Sequence, residues 1–519
     1  MLYINECINL VHFPVNIFQL EHLRDVSIIN CPNFVNFGKE VGHNGQFVPC
    51  TQENEISSSV ELSPPESNNL FMTYNFSSSL RTLNLSSSGI VSLPPCIERF
   101  VGLSKLNLRG CKQLEEILHL PPNIEVVDVR ICSNLKNFLP ESNNLSQTYN
   151  FSSSLWALDL YGSGIVSLPP CIGGFVGLFV LDLTYCEQLE EILYLPPNIV
   201  EVDAHGCSSL KNFLPESNNL SRKYNFSSSL RTLDLSGSII VSLSPCIEGF
   251  VGLSELYLRH CKQLQEILHL PPNIKEVDCK GCKLLERFPH VSTKSSFGTP
   301  ELKRLRRINL SECNKVEVDV GNHAPDPLLV QERFREKESS TIIYPRSRIP
   351  EWFKYCKETT SYTNSIEIKI DHNASMCGHQ IVALVFCVVV GPIPKWTVYG
   401  STMSINCQRI GNDDTRLWHS MDPHRVCLQY TAGNSIDEIL SRSYREGNNN
   451  MRFTFESDSE KAIFKSAGVH LIYENDNFID PIKRYRDDGE HDLEPDWNPQ
   501  QKRQSSTTRI MEFEDANDD

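Results

Sequence analysis

The apolar residues of this chain follow one repeated pattern, LxxLxL, through most of its first 321 residues. Three consecutive 75-residue blocks, at 65–289, each contain the pattern three times and share the phrases PESNNL and YNFSSSL. Within the blocks it begins at Leu80, Leu103, Ile124, Leu155, Leu178, Ile199, Leu230, Leu253 and Ile274. Further copies begin at Leu23 and Leu305, and Leu2 with Ile4 fits a shortened copy, so the pattern predicts about twelve stacked units.

The unit spacings of 23, 21 and 31 residues are typical of leucine-rich repeats, in which each unit gives one short parallel strand and a looser return segment. LPP motifs such as Leu93-Pro94-Pro95 occupy the return segments. Proline cannot donate to a strand ladder, so these segments should be irregular connections rather than long helices. We therefore predict an α/β-type leucine-rich-repeat solenoid at 1–321, with a parallel concave sheet and an irregular convex side.

A cysteine follows the last apolar position of most units by three residues. These cysteines are Cys7, Cys31, Cys111, Cys132, Cys186, Cys207, Cys261, Cys282 and Cys313. A fixed repeat offset favours buried thiols that pack under a turn over metal or redox chemistry. The CxxC of Cys279 and Cys282 has the same explanation, because Cys279 occupies the slot of Val129 and Ala204. We predict no metal site and no cofactor.

A different pattern begins after a predicted linker at 322–341. Ile366, Ile368 and Ile370 alternate with charged residues, and the apolar run from Ile381 to Val390 suits a strand buried on both faces. With further strand candidates at 396–406, 425–430, 451–455 and 469–473, residues 342–475 predict an all-β sandwich or jelly roll. The charged and amide-rich segment 476–519 predicts a disordered tail.

The concave face follows from strand alternation, since the residue between the last two apolar positions of LxxLxL points away from the core. This column is mostly Asp and Asn, and the next outward column includes Arg109, Arg130, Arg259 and Lys280, which could offset its charge. The polar columns fit either solvated repeat consensus or a docking strip for a basic or mixed-charge protein.

Outward positions differ between the three blocks, whereas the core leucines do not. Neutral drift of exposed positions would produce the same difference.

The middle block places three aromatics on this face, Trp156, Tyr161 and Tyr185, which we expect to lie near one another. Exposed aromatics on a sheet resemble interface anchors more than scaffold. The candidate partner-binding residues are Trp156, Asp159, Tyr161, Asp182, Tyr185, Asp203, His205, Asp234, Tyr257 and Arg259.

Charge and composition narrow the classes of partner. A formal net charge of −16 disfavours nucleic acid and anionic membranes, both of which repel an acidic protein. The longest apolar run is too short to span a bilayer, and Asn5, Glu6, Asn9 and His12 interrupt any signal peptide. We expect a protein partner and a cytoplasmic location, with the Lys-Arg pairs of the tail as weak nuclear-localisation candidates.

The repeats have the form LPPxIxxxVGLxxLxLxxCxxLxxI, as in Leu93 to Ile117, and are followed by YPRSRIPEWF, Tyr344 to Phe353, and by VHLIYEND, Val469 to Asp476. In this order, over about nine-tenths of the chain, the motifs resemble the C-terminal part of plant TIR-type nucleotide-binding leucine-rich-repeat disease resistance proteins. The resemblance implies repeats plus a post-repeat domain, C-JID, that recognise a pathogen effector or a guarded host protein and release an inhibited receptor.

Two departures limit what the resemblance implies. The family's Pro-Gly before IPxWF is Pro345-Arg346 here, and no GxxxxGK[ST] loop or TIR catalytic region is present. The family's nucleotide switch and NAD-cleaving activity are therefore not expected. We expect a truncated product, which could act as a non-signalling decoy, or an incomplete gene model.

Two other classes stay open. An extracellular leucine-rich-repeat receptor-like protein is suggested by sequons at Asn75, Asn150 and Asn225, although paired capping cysteines are absent from the sequence. An enzyme is suggested by two pairs, Cys377 with His379 and Cys356 with His372, but neither pair has a recognisable nucleophile context, so we predict no catalytic residues.

Overall fold

The structure is a computed structural model. It describes residues 1–14, 17–18, 20–41, 46–49, 78–139, 154–214, 228–288, 305–316, 339–363, 365–371, 381–392, 399–405, 408–409, 416–417, 424–432, 450–457 and 464–473. The sequons, both pairs proposed for an enzyme except Cys356, most of the predicted linker and the tail lie outside these residues. Residues 1–476 form one compact unit.

Twelve short strands of the repeats lie side by side in one parallel sheet. They are β1 (Leu2–Asn5), β3 (Asp25–Ile29), β6 (Thr82–Asn84), β7 (Lys105–Asn107), β9 (Val126–Asp128), β11 (Ala157–Asp159), β12 (Val180–Asp182), β14 (Glu201–Asp203), β16 (Thr232–Asp234), β17 (Glu255–Tyr257), β18 (Glu276–Asp278) and β19 (Arg307–Asn309). Each pairs with the next without a register shift. The predicted leucine-rich-repeat solenoid is confirmed.

The register stacks equivalent apolar side chains into continuous rows. Leu158 of β11 lies opposite Leu181 of β12, which lies opposite Val202 of β14, and all three are fully buried. Because successive strand residues point to opposite faces, burying this row leaves the flanking residues on the outer, concave face of the sheet.

The convex side is irregular, as the LPP motifs predict. In the part of each block that the structure describes, one 3-10 turn starts at a proline, at Pro95–Arg99, Pro170–Gly174 and Pro245–Gly249. Short strands complete this side: β2 (His12–Pro14), β4 (Asn36–Val41), β5 (Gln46–Pro49), β8 (Glu116–Ile117), β10 (Asn137–Phe138), β13 (Glu191–Ile192) and β15 (Asn212–Phe213). The described part of the chain contains no helix with the length and apolarity needed to cross a membrane.

The repeated cysteines form a row of buried thiols. From Cys111 to Cys313 each donates to a main-chain carbonyl of the preceding unit, as Cys186 Sγ does to Leu160 O at 3.1 Å and Cys207 Sγ to Leu183 O at 3.1 Å. Cys31 is buried but donates to Ile29 O within its own unit. The prediction of a buried thiol is wrong at Cys7, which is exposed and donates to Asn5 O of its own unit. Burial raises the pKa of the Cys186 thiol to about 11. Cys282 donates to Leu258 O, whereas Cys279 lies in the aliphatic row, so the two sulfurs of the CxxC have separate structural roles.

The parallel sheet does not end at the last repeat. Strand β20 (Ser339–Tyr344) pairs in parallel with β19 and begins inside the range predicted as linker. An antiparallel sheet continues from β20 through β27 (Arg425–Ala432), β23 (Ile381–Val390), β29 (Phe464–Tyr473) and β21 (Tyr355–Thr363). The repeats and the following domain thus share a single seventeen-stranded sheet, which covers the edge that β19 would otherwise expose.

A second antiparallel sheet completes the sandwich. It contains β22 (Ser365–Asp371), β28 (Asn450–Ser457), β24 (Tyr399–Ile405), β25 (Gln408–Arg409) and β26 (Arg416–Leu417). Phe386 of β23 packs against Phe453 and Phe455 of β28, with ring centroids 6.0 and 6.1 Å apart. The opposite face of β23 carries Val385 and Val389 into the apolar cluster that continues from the repeats. This strand is buried on both faces, as its sequence predicts.

Candidate functional site

The polar column of the concave face has a role within each repeat. Asp182 Oδ1 accepts the main-chain N–H of Thr184 at 2.8 Å, and Asp203 Oδ1 accepts that of His205 at 2.9 Å. The same bond to the residue two positions on is made by Asn84, Asn107, Asp128, Asp159, Asp234, Asp278 and Asn309. This local turn explains why Asp and Asn alternate freely here, since both offer the acceptor oxygen.

Tyr257 is the exception in this column, and its neighbours compensate. The Ser236 hydroxyl of the adjacent unit accepts the Arg259 N–H at 3.0 Å. The Arg259 guanidinium lies 5.0 Å from the centroid of the Tyr257 ring and donates to Asp278 at 2.6 Å. The Tyr257 hydroxyl donates to Glu255 at 3.1 Å. Tyr257 and Arg259 therefore belong to one local network at the C-terminal end of the repeats.

The outward cations neutralise only part of the carboxylate column. Arg130 donates to Asp128 at 2.6 Å and also lies 3.2 Å from Asp159. Among the described residues, no ion pair is formed by Asp182, Asp203 or Asp234, which lie opposite one another on β12, β14 and β16. We call these three the acid ladder.

The pKa values of two carboxyls in this column reflect their surroundings. Burial raises the pKa of Asp159, and the nearby Asp182 carboxylate raises it further. Burial and then the Asp234 and Asp182 carboxylates raise the pKa of Asp203, against the attraction of its own main-chain bond and of His205. Half-buried carboxylates thus concentrate at the centre of the concave face, and of these two only Asp159 has an ion-pair partner among the described residues.

Three rings contact one another beside the acid ladder. The Tyr161 and Tyr185 ring centroids are 5.7 Å apart, and those of Tyr185 and His205 are 5.5 Å apart, both edge to face. Tyr185 has a positive φ of 56° and is 45% exposed. Its ring lies over Gly206, where an added Cβ would come within 2.5 Å of a ring carbon.

Trp156 lies apart from this group, contrary to the expectation that the three aromatics cluster. It immediately precedes β11, whereas Tyr161 follows that strand, and five extended residues span about 16 Å. Its neighbours are instead Phe179 and Val200. The Phe179 N–H donates to the Trp156 carbonyl at 3.0 Å, and the Val200 N–H donates to the Phe179 carbonyl at 2.8 Å. Trp156, Phe179 and Val200 are 48%, 44% and 36% exposed. We call this column the apolar rim.

One sequence position distinguishes the apolar rim, whereas the outward column of Asp and Asn gives no sign of it. Its members each follow the first apolar residue of LxxLxL, so a comparison of that position across units separates the middle block from the others. The flanking blocks have Arg81, Ser104 and Glu125, and Arg231, Ser254 and Lys275, there.

Known proteins similar to this chain include plant disease resistance proteins. Disease resistance protein RPS4B of Arabidopsis thaliana is 24% identical over 76% of this chain, and Disease resistance-like protein DSC1 is 25% identical over 60%. Disease resistance protein RPS4 of the same plant is 32% identical over 26% of this chain. The chain is related to TIR-NBS-LRR disease resistance proteins. This finding confirms the resemblance seen in the repeat and post-repeat motifs.

The relationship covers only part of those relatives. The chain spans 37% of RPS4B, 26% of DSC1 and 12% of RPS4. No family model matches the chain. Two similar solved structures are the leucine-rich repeat domain of the type III effector XCV3220 (XopL), 21% identical with a TM-score of 0.26, and a complex containing FLRT2 (LRR), 17% identical with a TM-score of 0.30. At scores this low, neither carries any argument here.

Proposed function

We propose that this chain is the recognition region of an intracellular plant immune receptor and that it binds a pathogen effector or a guarded host protein. The relatives are plant disease resistance proteins, which supports a role in plant defence. In this proposal the concave face and the post-repeat sandwich form the binding surface, and the chain itself performs no catalysis. The compartment is the cytoplasm, with the nucleus as the alternative that the basic pairs of the tail suggest.

One observation carries the proposal. The three blocks have the same buried rows and the same strand register, yet the middle block alone carries exposed Trp156, Phe179 and Tyr185 and half-buried Tyr161 at its outward positions. Aromatic side chains on an accessible surface supply a large part of the energy of protein interfaces. A scaffold held constant beneath a variable surface is what partner recognition requires.

Two charge reversals in one repeat unit, one on its concave face and one on its convex side, test the proposal. Glu201 is exposed on the concave strand β14, and Lys105 occupies the equivalent position of β7, so Glu201→Lys is compatible with the fold. Lys211 is on the convex side of the same unit, where it pairs with Glu190 at 3.2 Å, and Lys211→Glu is the matched control.

The assay measures binding of the purified full chain to a panel of purified secreted pathogen proteins and to host proteins recovered from challenged leaf tissue. We expect Glu201→Lys to abolish binding of at least one panel member that Lys211→Glu still binds. Equal binding by both variants to every panel member that binds the wild-type chain would overturn a concave recognition surface.

A further inference from the structure

Among the described residues, the apolar rim is the outer column in which three neighbouring units present well-exposed apolar side chains, whereas Val126, Ala157 and Val180 in the adjoining column are half-buried. Trp156, Phe179 and Val200 immediately precede three neighbouring strands, so the column is about 10 Å wide at the usual strand spacing. Glu125 precedes it and Arg231 follows it at the same repeat position. The apolar surface is therefore bounded by charge on both sides.

The flanking blocks show what the scaffold needs at these positions. Arg81 Nη1 donates to the Gly102 carbonyl at 2.7 Å, and Arg231 Nη1 donates to the Gly252 carbonyl at 3.2 Å. Ser104 and Ser254 donate to the carbonyls of those arginines at 3.4 and 3.1 Å. Trp156 and Phe179 replace this arginine and serine in the middle block. Among the described residues, the side chains of Trp156 and Phe179 make no hydrogen bond equivalent to those of this arginine and serine.

Negative charge adjoins the rim on the same face. Asp159, Asp182 and Asp203 follow the rim residues by three positions in the same units, about 10 Å along the strands. Glu201 directly follows Val200 and forms no ion pair among the described residues. A partner that covers the rim would therefore place its nearby groups over carboxylates, most of which lack a counter-charge.

We propose that the apolar rim and the acid ladder together bind an extended protein segment in which an apolar side chain lies close to a lysine or arginine. This inference rests on the proposed function and specifies the chemistry of the partner. The apolar side chain packs on Trp156 and Phe179, and the cation lies over Asp182 and Asp203. Burial of the indole and phenyl rings supplies most of the affinity, and the carboxylates set orientation and discriminate against acidic segments.

The probe is a fluorescein-labelled twelve-residue peptide with the sequence Leu-Ser-Lys-Ser repeated three times, which places leucine and lysine on one face of an extended chain. Two control peptides replace every lysine with glutamate or every leucine with serine. Binding to the full chain is measured by fluorescence anisotropy at low and at physiological salt. We expect the leucine-lysine peptide to bind most tightly and its affinity to fall as salt rises.

The matched variant is Trp156→Arg with Phe179→Ser, which installs the residue pair that both flanking blocks carry. The flanking hydrogen bonds indicate that this variant folds at least as well as the wild-type chain, and its melting temperature checks this. We expect it to bind the leucine-lysine peptide about tenfold more weakly or worse, as loss of an aromatic anchor predicts. Asp203→Asn, which keeps the local turn, should weaken binding severalfold.

Three outcomes overturn the inference. The serine-lysine peptide could bind as tightly as the leucine-lysine peptide, the rim variant could bind as tightly as wild type, or sedimentation could show that the rim mediates self-association of the chain. If any of these occurs while Glu201→Lys still abolishes binding to a panel protein, the proposed function stands and only the partner chemistry is wrong. If binding of every panel protein is insensitive to concave variants, the proposed function itself fails.

Discussion

Asp203→Asn should stabilise the folded chain, even though the carboxylate it removes is hydrogen-bonded. Asparagine offers the same oxygen to the His205 N–H, as Asn107 does to Arg109 at 2.9 Å. Asp182 and Asp234 flank Asp203 on the neighbouring strands, about 4.8 Å away. Two unit charges at that distance repel by about 1 kcal/mol in water and by more where water is partly excluded. Removing both repulsions should raise the free energy of unfolding by about 1–2 kcal/mol at pH 7 and low salt.

The pH dependence provides a second readout of the same change. Because the pKa of Asp203 is raised in the folded chain, the folded state binds its proton more tightly than the unfolded state does. Ionisation of Asp203 therefore lowers stability as pH rises through this window, and protonation restores it as pH falls. The advantage of Asp203→Asn should shrink below its raised pKa and disappear below the pKa of about 3.9 of an unfolded aspartate.

Asp128→Asn is the matched control because Asp128 occupies the same column but pairs with Arg130 at 2.6 Å. That substitution should lower the free energy of unfolding by up to about 1 kcal/mol, opposite in sign to Asp203→Asn. Urea denaturation followed by circular dichroism at pH 7 and pH 4 measures both variants. Destabilisation of equal size by both substitutions would refute the view that Asp203 is repelled by its neighbours.

Three further changes test the packing beneath this surface. Gly206→Ala should destabilise the chain by about 1 kcal/mol more than Gly162→Ala. Both glycines have positive φ, but only at Gly206 would a Cβ meet the Tyr185 ring, and equal melting temperatures of the two variants would contradict this. Leu181→Ala, in the fully buried row, should cost about 2–5 kcal/mol in urea denaturation, and a cost under about 1 kcal/mol would argue against that row. Cys186, whose pKa burial raises to about 11, should react with iodoacetamide far more slowly than exposed Cys7, as peptide mass mapping would show; comparable rates would exclude a buried thiol.

The repeat pattern predicted most of the solenoid because every unit buries its apolar residues in the same way. The apolar residues of LxxLxL bury themselves only if neighbouring strands align, so spacing alone determines the strands and their register. Cys207 and its equivalents were predicted as buried thiols for the same reason, and their burial agrees with that prediction except at Cys7, which is exposed.

Other features depend on contacts that the local pattern does not contain. The pairing of β19 with β20 joins residues about thirty positions apart, and β20 sends Ile342 toward the core shared with the repeats and Ile343 toward the sandwich core. Nothing in the sequence of β20 specifies that partner strand. The apolar rim was missed for another reason, since Phe179 and Val200 become neighbours of Trp156 only once the units are stacked.

The most direct test of the account is hydroxyl-radical footprinting of the full chain with and without a bound protein partner. Trp156, Phe179, Tyr161 and Tyr185 are reactive aromatics on the concave face, and exposed Val101 and Val251 of the flanking blocks provide internal references. The account predicts that binding protects the four aromatics from oxidation and leaves both valines unchanged. Protection limited to residues elsewhere, with the four aromatics oxidised as fast as in the free chain, would contradict it.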